Sequence, residues 1–252
     1  MGEKTLRADR LLSNLGYGSR KEMAMAIKNG WLEVDGVRMT DPSGAIDLAL
    51  VRQGRILFDD EPLDPPAPLT VMLHKPLGVT CSLKDAGPIV YDLLPPRWKL
   101  RNPVLSPIGR LDKYSTGQLL FTDDGDLLHR VTHPRTHALK HYSVTLRDVL
   151  KGNEAALFVS GDFMLAEDEK PLKPAHWTQT GEQCGTMVLS EGKFHQIRRM
   201  FEALGNEVVT LHRYQTGGLV LGDLAEGTWR ILQADEVALL LTETMANNKT
   251  KP

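Results

Sequence analysis

Cysteine is scarce in this 252-residue chain: Cys81 and Cys184 lie far apart and offer neither a disulfide framework nor a zinc-ligand spacing. Long apolar runs are missing too. Val237–Leu241 is among the longest, far short of the ~20 residues that span a bilayer, so no membrane partner is expected. The opening residues, Met1-Gly2-Glu3-Lys4-Thr5-Leu6-Arg7, lack the apolar core of a secretory signal, which makes the cytoplasm the expected location. No sign of charge dominates: 30 Lys+Arg face 32 Asp+Glu for a net charge of −2, which argues against a uniformly basic nucleic-acid binder. Aromatics make up only 6%, yet 41% hydrophobic and 25% charged residues are ordinary for a folded chain and set disorder aside as the default.

What is present is unevenly distributed. Residues 71–150 hold eleven Lys and Arg against seven Asp and Glu, and residues 1–30 hold six against three. Residues 151–189 and 222–252 are acidic instead, with three against six and three against five. Two basic regions are thus available to follow a phosphate backbone.

Residues 6–51 read as a small module. Leu11 and Leu15 share a helical face, Gly16 and Gly18 break it, and Ser19 can N-cap a second helix over Arg20–Asn29. Trp31–Val37 then alternates around Asp35-Gly36, a hairpin signal. Arg20 and Lys21 sit in the first turn of that second helix, where the macrodipole disfavours cations, so a docking anion is expected there. This helix–helix–hairpin order with Gly-Ser-Arg-Lys resembles the S4 RNA-binding domain. The boundaries expected are an S4-like domain over 1–61, a semi-stiff Pro-rich linker over 62–69, a catalytic domain over 70–245 and a flexible tail over 246–252.

Gly109-Arg110-Leu111-Asp112-Lys113-Tyr114-Ser115-Thr116-Gly117 places one carboxylate in a turn between two strand-like runs, 103–108 and 118–122. Three further segments accompany it: His74-Lys75-Pro76-Leu77-Gly78 at a strand end, Lys140-His141-Tyr142 opening another strand, and Glu191–Phe201, which contains Lys193-Phe194-His195-Gln196-Ile197-Arg198-Arg199. In the last, Ile197, Met200, Phe201 and Leu204 recur at helical spacing. At ~100° per residue that leaves Arg198 at the edge of the apolar stripe and Arg199 opposite it, toward solvent or RNA.

Together these segments resemble motifs I, II and III of the pseudouridine synthases, and nearly the whole chain, from the S4-like module to about Ile231, is similar to the RsuA-type branch, which modifies small-subunit (16S) rRNA. The resemblance implies an α+β fold with a mixed, mostly antiparallel sheet and a central cleft. It implies isomerisation of uridine in rRNA, bare or in a 30S assembly intermediate, without metal or organic cofactor and by a monomer. It assigns Asp112 as the catalytic residue, Arg198 as its charge partner and Tyr142 as the ring that stacks on the base. Arg110, Lys113, Lys140 and Arg199, with Ser19, Arg20 and Lys21 of the first module, are the expected RNA contacts. His74 stands where the family has Asn, and Tyr114 where it more often has Asp. Two rival readings are a non-catalytic RNA-binding or ribosome-assembly factor and an RNA glycosidase that releases the base.

Other signals carry less. His129, His133, His137 and His141 recur every four residues, but Pro134 interrupts the helix that zinc would need. Asp123-Asp124-Gly125-Asp126 lacks the length and closing Glu of a calcium loop and reads as a turn ahead of a short helix. Lys84–Gly87, on the expected substrate side, shows no pattern that fixes the target uridine.

Overall fold

The computed structural model describes residues 5–82, 87–133, 138–166 and 168–243. Lys84–Ala86, Pro134, His137 and the expected tail at 246–252 lie outside the described residues. Two units emerge. The first comprises Met1–Leu69, Leu94–Ser106 and Thr122–Asp124; the second comprises Thr70–Leu93, Pro107–Phe121 and Gly125–Pro252.

The first unit runs β1 (Thr5–Arg7), α1 (Ala8–Leu15), α2 (Arg20–Lys28), β2 (Leu32–Val34), β3 (Val37–Met39), β4 (Ala45–Asp47), α3 (Leu48–Arg52), β5 (Ile56–Phe58) and β6 (Glu61–Pro62). β1 pairs with β4, and β3-β2-β5-β6 forms an antiparallel sheet. Asp35 and Gly36 both take positive φ (52° and 77°), as a two-residue turn matched to strand twist requires. Leu11, Leu12 and Leu15 of α1 pack with Met23 and Ile27 of α2 and with Leu32, Ile56 and Phe58 of the sheet.

The proline-rich stretch is more than a spacer. Leu63 enters the core of the first unit. The Asp64 carboxylate accepts from Arg97 (2.5 and 2.8 Å) and from the Trp98 indole (2.9 Å). Arg101 donates to the Pro65 carbonyl at 2.9 Å and pairs with Asp123 at 3.1 Å, both side chains fully buried. Asp123 in turn accepts from the Leu69 N–H at 2.7 Å. Prolines remove donors but leave carbonyls, and buried carbonyls need partners. Residues 94–106 and 122–124 supply them, and so pack with the first unit although the sequence reading puts them in the catalytic domain.

The second unit contains β7 (Thr70–Lys75), β8 (Ser106–Pro107), β9 (Thr116–Thr122), α4 (Gly125–Thr132), β10 (Lys140–Leu146), α5 (Glu154–Val159), β11 (His176–Gly181), β12 (Cys184–Leu189), α6 (Gln196–Ala203), β13 (Val208–Thr216), β14 (Leu219–Val220), β15 (Trp229–Ile231) and α7 (Ala234–Leu239). Among the described residues these build a nine-stranded sheet of order β11-β12-β10-β13-β9-β7-β15, with β8 and β14 beside β9 and β13. β13 and β9 run parallel, whereas β10 is antiparallel to both of its neighbours. The fold is therefore α+β on a mixed sheet, as expected. Met72, Leu120, Leu127, Val131, Leu219 and Leu232 form one core. Phe158, Trp177 and Phe201 form a second cluster, Phe201 meeting the other two rings edge-on at 5.3 and 5.1 Å. No helix among the described residues is long and apolar enough to cross a membrane.

Candidate active site

The turn that carries Asp112 is tied at its base, where the Ile108 N–H donates to the Leu120 carbonyl at 2.7 Å. Within it the Ser115 N–H donates to the Asp112 carbonyl at 3.0 Å. Gly117, the second residue of β9, has φ +107°, and a Cβ there would overlap the Arg213 carbonyl of β13, so only glycine fits this close parallel approach.

Two cations hold the three carbonyls that follow Asp112. Lys75, 0% exposed at the end of β7, donates from Nζ to Ser115 O (2.8 Å), Pro76 O (3.0 Å) and Lys113 O (3.4 Å). Burial pushes its pKa down to about 8, with Cys81 and Asp112 pulling weakly the other way. Arg198 of α6 takes the carbonyl between them, donating to Tyr114 O at 2.7 Å and to Val208 O at 2.8 Å.

A cleft of about 420 Å³ opens over this turn, lined by residues 80–82, 109–113 and 192–195. Asp112 is the one carboxylate among those lining residues, and its side chain is 32% exposed. His195 faces it, Nε2 lying 3.7 Å from Asp112 Oδ1. His195 caps α6 from a left-handed backbone (φ +49°), and its ring stacks on Phe194 at 3.9 Å and 16°. Arg110, Lys113 and Lys193 give the same cleft its positive charge.

Several expected site residues sit elsewhere. Arg198 forms no ion pair with Asp112; it is at the edge of the stripe as expected, but main-chain carbonyls are the acceptors it meets there. Arg199 does not point to solvent. Its guanidinium pairs with Asp168 at 2.8 Å, and Lys193 takes the other oxygen at 2.8 Å. These two cations hold the Asp168 carboxyl below its ordinary range. Tyr142 is 7% exposed on β10, on the strand face it shares with Val144 and Leu146, and does not line the cleft. Lys140, at the start of the same strand, is held down to about 8 by burial and by Arg213, with Glu191 opposing.

In the first unit, Ser19 and Glu22 close a capping box on α2 (3.3 and 2.8 Å), and Arg20 pairs with Asp9 of α1 at 3.1 Å. The chain's own carboxylates thus occupy the place expected for an anion. Lys21 stays exposed. Among the described residues no three His, Cys, Asp or Glu gather as a metal site; the rings of His129 on α4 and of His133 just past it lie 4.8 Å apart, tilted by 50°.

Residues 70–203, more than half of the chain, match the RNA pseudouridylate synthase family. The chain belongs to that family. It is 35% identical over 242 residues to ribosomal small subunit pseudouridine synthase A of Haemophilus influenzae, covering 94% of this chain and 100% of that one. It is 36% identical over 239 residues to the protein of the same name from Escherichia coli K12, with 92% and 99% covered. The Bacillus subtilis protein YtzG, an uncharacterised RNA pseudouridine synthase, is 34% identical over 93% of this chain and 98% of its own. A crystal structure of a pseudouridylate synthase superposes with a TM-score of 0.63 at 35% identity, spanning 93% of this chain and 99% of that one.

This RNA pseudouridine synthase is an isomerase, and its cleft and the turn beneath contain residues to which the sequence reading gave no role. Phe194 and His195 directly precede the predicted helix, and an aromatic pair after Gly-Lys at a helix start was a visible signal. Lys75, a lone cation ending the apolar run 69–73 ahead of Pro76, was another.

Proposed function

We propose that this cleft isomerises a uridine of small-subunit ribosomal RNA, with Asp112 as the catalytic carboxylate. The observation that carries the proposal is the position of Asp112: among the described lining residues it is the one carboxylate, a group able to act as a nucleophile or as a base toward the ribose. The N1–C1′ bond breaks, the uracil turns, C5 bonds to C1′, and the C5 proton leaves to solvent while N1 gains one. Lys75 and Arg198 act as positioning residues, fixing the carbonyls that follow Asp112. Arg110 and Lys113 meet the phosphates, and Lys21 extends RNA contact to an S4-like first unit. The resemblance in motif II supports Tyr142 as the residue that meets the target base. Relatives named for the small ribosomal subunit support that RNA as substrate in the cytoplasm; the enzyme acts as a monomer on bare or partly assembled RNA.

The test is tritium release from small-subunit rRNA carrying 5-tritiated uridine, partly assembled with ribosomal proteins. Wild type releases tritium and Asp112→Ala does not. Equal release by both removes Asp112 from the chemistry. No release by either, with RNA still bound, favours an assembly factor, and free uracil in the products favours a glycosidase.

A further inference from the structure

We propose that Phe194 and His195 form a stacking platform for an unpaired base next to the target uridine, a role that rests on the cleft being the uridine-isomerising site. Phe194 is 72% exposed although it lines the cleft. One face of its ring lies on His195, and the high exposure leaves room for a planar partner on the ring. An exposed aromatic is unremarkable alone. This one is held in place from several sides.

The backbone of His195 is left-handed, a conformation that a non-glycine residue keeps only where its surroundings enforce it. Those surroundings are present. The Lys193 N–H donates to the Gln196 side chain at 2.9 Å, and Gln196 donates to Glu191 at 2.9 Å. Asp168 clamps Lys193 and Arg199, on either side of the aromatic pair. A ring fixed before its partner arrives loses little freedom on stacking.

The order of groups indicates which base is held. His195 meets both groups: its ring stacks on Phe194 at 3.9 Å, and its Nε2 lies 3.7 Å from the Asp112 carboxylate. A base stacked on Phe194 opposite His195 has the Phe194 ring between it and the residue that meets Asp112, which suits a neighbour of the target uridine better than the target itself. Phe194 and His195 are the aromatic rings among the lining residues, and Arg110 and Lys113 share the wall. Rings beside cations in a groove are the chemistry that holds single-stranded nucleic acid.

Phe194→Ala, Phe194→Leu and Phe194→Trp test the platform. Loss of one stacked base corresponds to about 5- to 150-fold in affinity. Phe194→Ala is expected to raise KM for the tritiated rRNA substrate within that range, with kcat within about threefold. Phe194→Leu should behave like the alanine variant. Phe194→Trp should keep the wild-type KM, and its added tryptophan fluorescence should be quenched by small-subunit rRNA but not by a fully paired RNA duplex. Wild-type KM in the alanine or leucine variant, or an unquenched tryptophan, overturns the platform. If wild type releases no tritium, the isomerase reading fails, and the quenching result still decides the platform by itself.

Discussion

Replacing Lys75 by methionine keeps the stem of the side chain and removes the ammonium that grips the turn behind Asp112. Three carbonyls are affected, but Lys113 O keeps the Gly78 N–H at 2.9 Å, leaving Pro76 O and Ser115 O without the donor they had. Each costs about 1–3 kcal/mol when left unsatisfied. Against this, the pKa of Lys75 falls from 10.5 to about 8, so burial already penalises the charged form by about 3 kcal/mol, which methionine relieves. The net lies between ~1 kcal/mol of stabilisation and ~3 kcal/mol of loss, at most a fall of ~12 °C in Tm for a unit of this size. Catalysis has no such compensation. A carboxylate misplaced by about an ångström can lose on the order of 100-fold in rate, so kcat should fall about 10- to 100-fold while KM changes less than about threefold. Tritium release across a substrate range, with thermal unfolding alongside, measures both. Full kcat in the folded variant would refute the reasoning; so would a collapse of Tm by 20 °C or more, which would make Lys75 a fold residue instead.

The same lysine has a pH signature. Between pH 8 and 10.5 the unfolded chain holds a proton that folded Lys75 has released, so stability rises with pH across that window. Urea unfolding at pH 8 and pH 10 should show a smaller rise, by about 2 kcal/mol, in Lys75→Met than in wild type; equal slopes contradict it. Arg101→Met strands the buried Asp123 carboxylate and should destabilise the first unit by about 3–5 kcal/mol, with Asp123→Asn restoring more than half when added. A thermal melt in which the double variant is no better than the single one excludes this. Gly117→Ala should cost more than about 2 kcal/mol in urea unfolding, from its positive φ and the overlap with Arg213. An unchanged midpoint would show that β9 can move away from β13.

Local features were legible in the sequence because local chemistry decides them. The Asp35-Gly36 hairpin, the Ser19 cap and the apolar face of α6 follow from residues within a few positions of each other. Partners distant along the chain were not legible. A helical wheel gives the direction in which Arg198 leaves its helix, but not that the Tyr114 carbonyl, 84 residues away, lies in that direction. For Arg199 the missing information was Asp168, delivered by a loop without regular structure. The strand expected over 103–108 shrinks to Ser106–Pro107 because its neighbours upstream are committed to Asp64, Pro65 and the first unit. Motif I was recognised as a string. Its anchoring by Lys75 depends on a strand end 40 residues earlier and could be read only from the fold.

The allocation of 94–106 and 122–124 to the first unit makes that unit discontinuous in the gene. No single stop codon or protease cut can yield it whole. A fragment ending at Leu69 lacks the Arg97 and Trp98 that cover Asp64, and lacks both halves of the Arg101–Asp123 pair. During synthesis, the N-terminal unit must wait for residue 124 to leave the ribosome before its interior is complete. By then the turn bearing Asp112 has already been made, so the order of translation does not give a finished first unit before the second is begun.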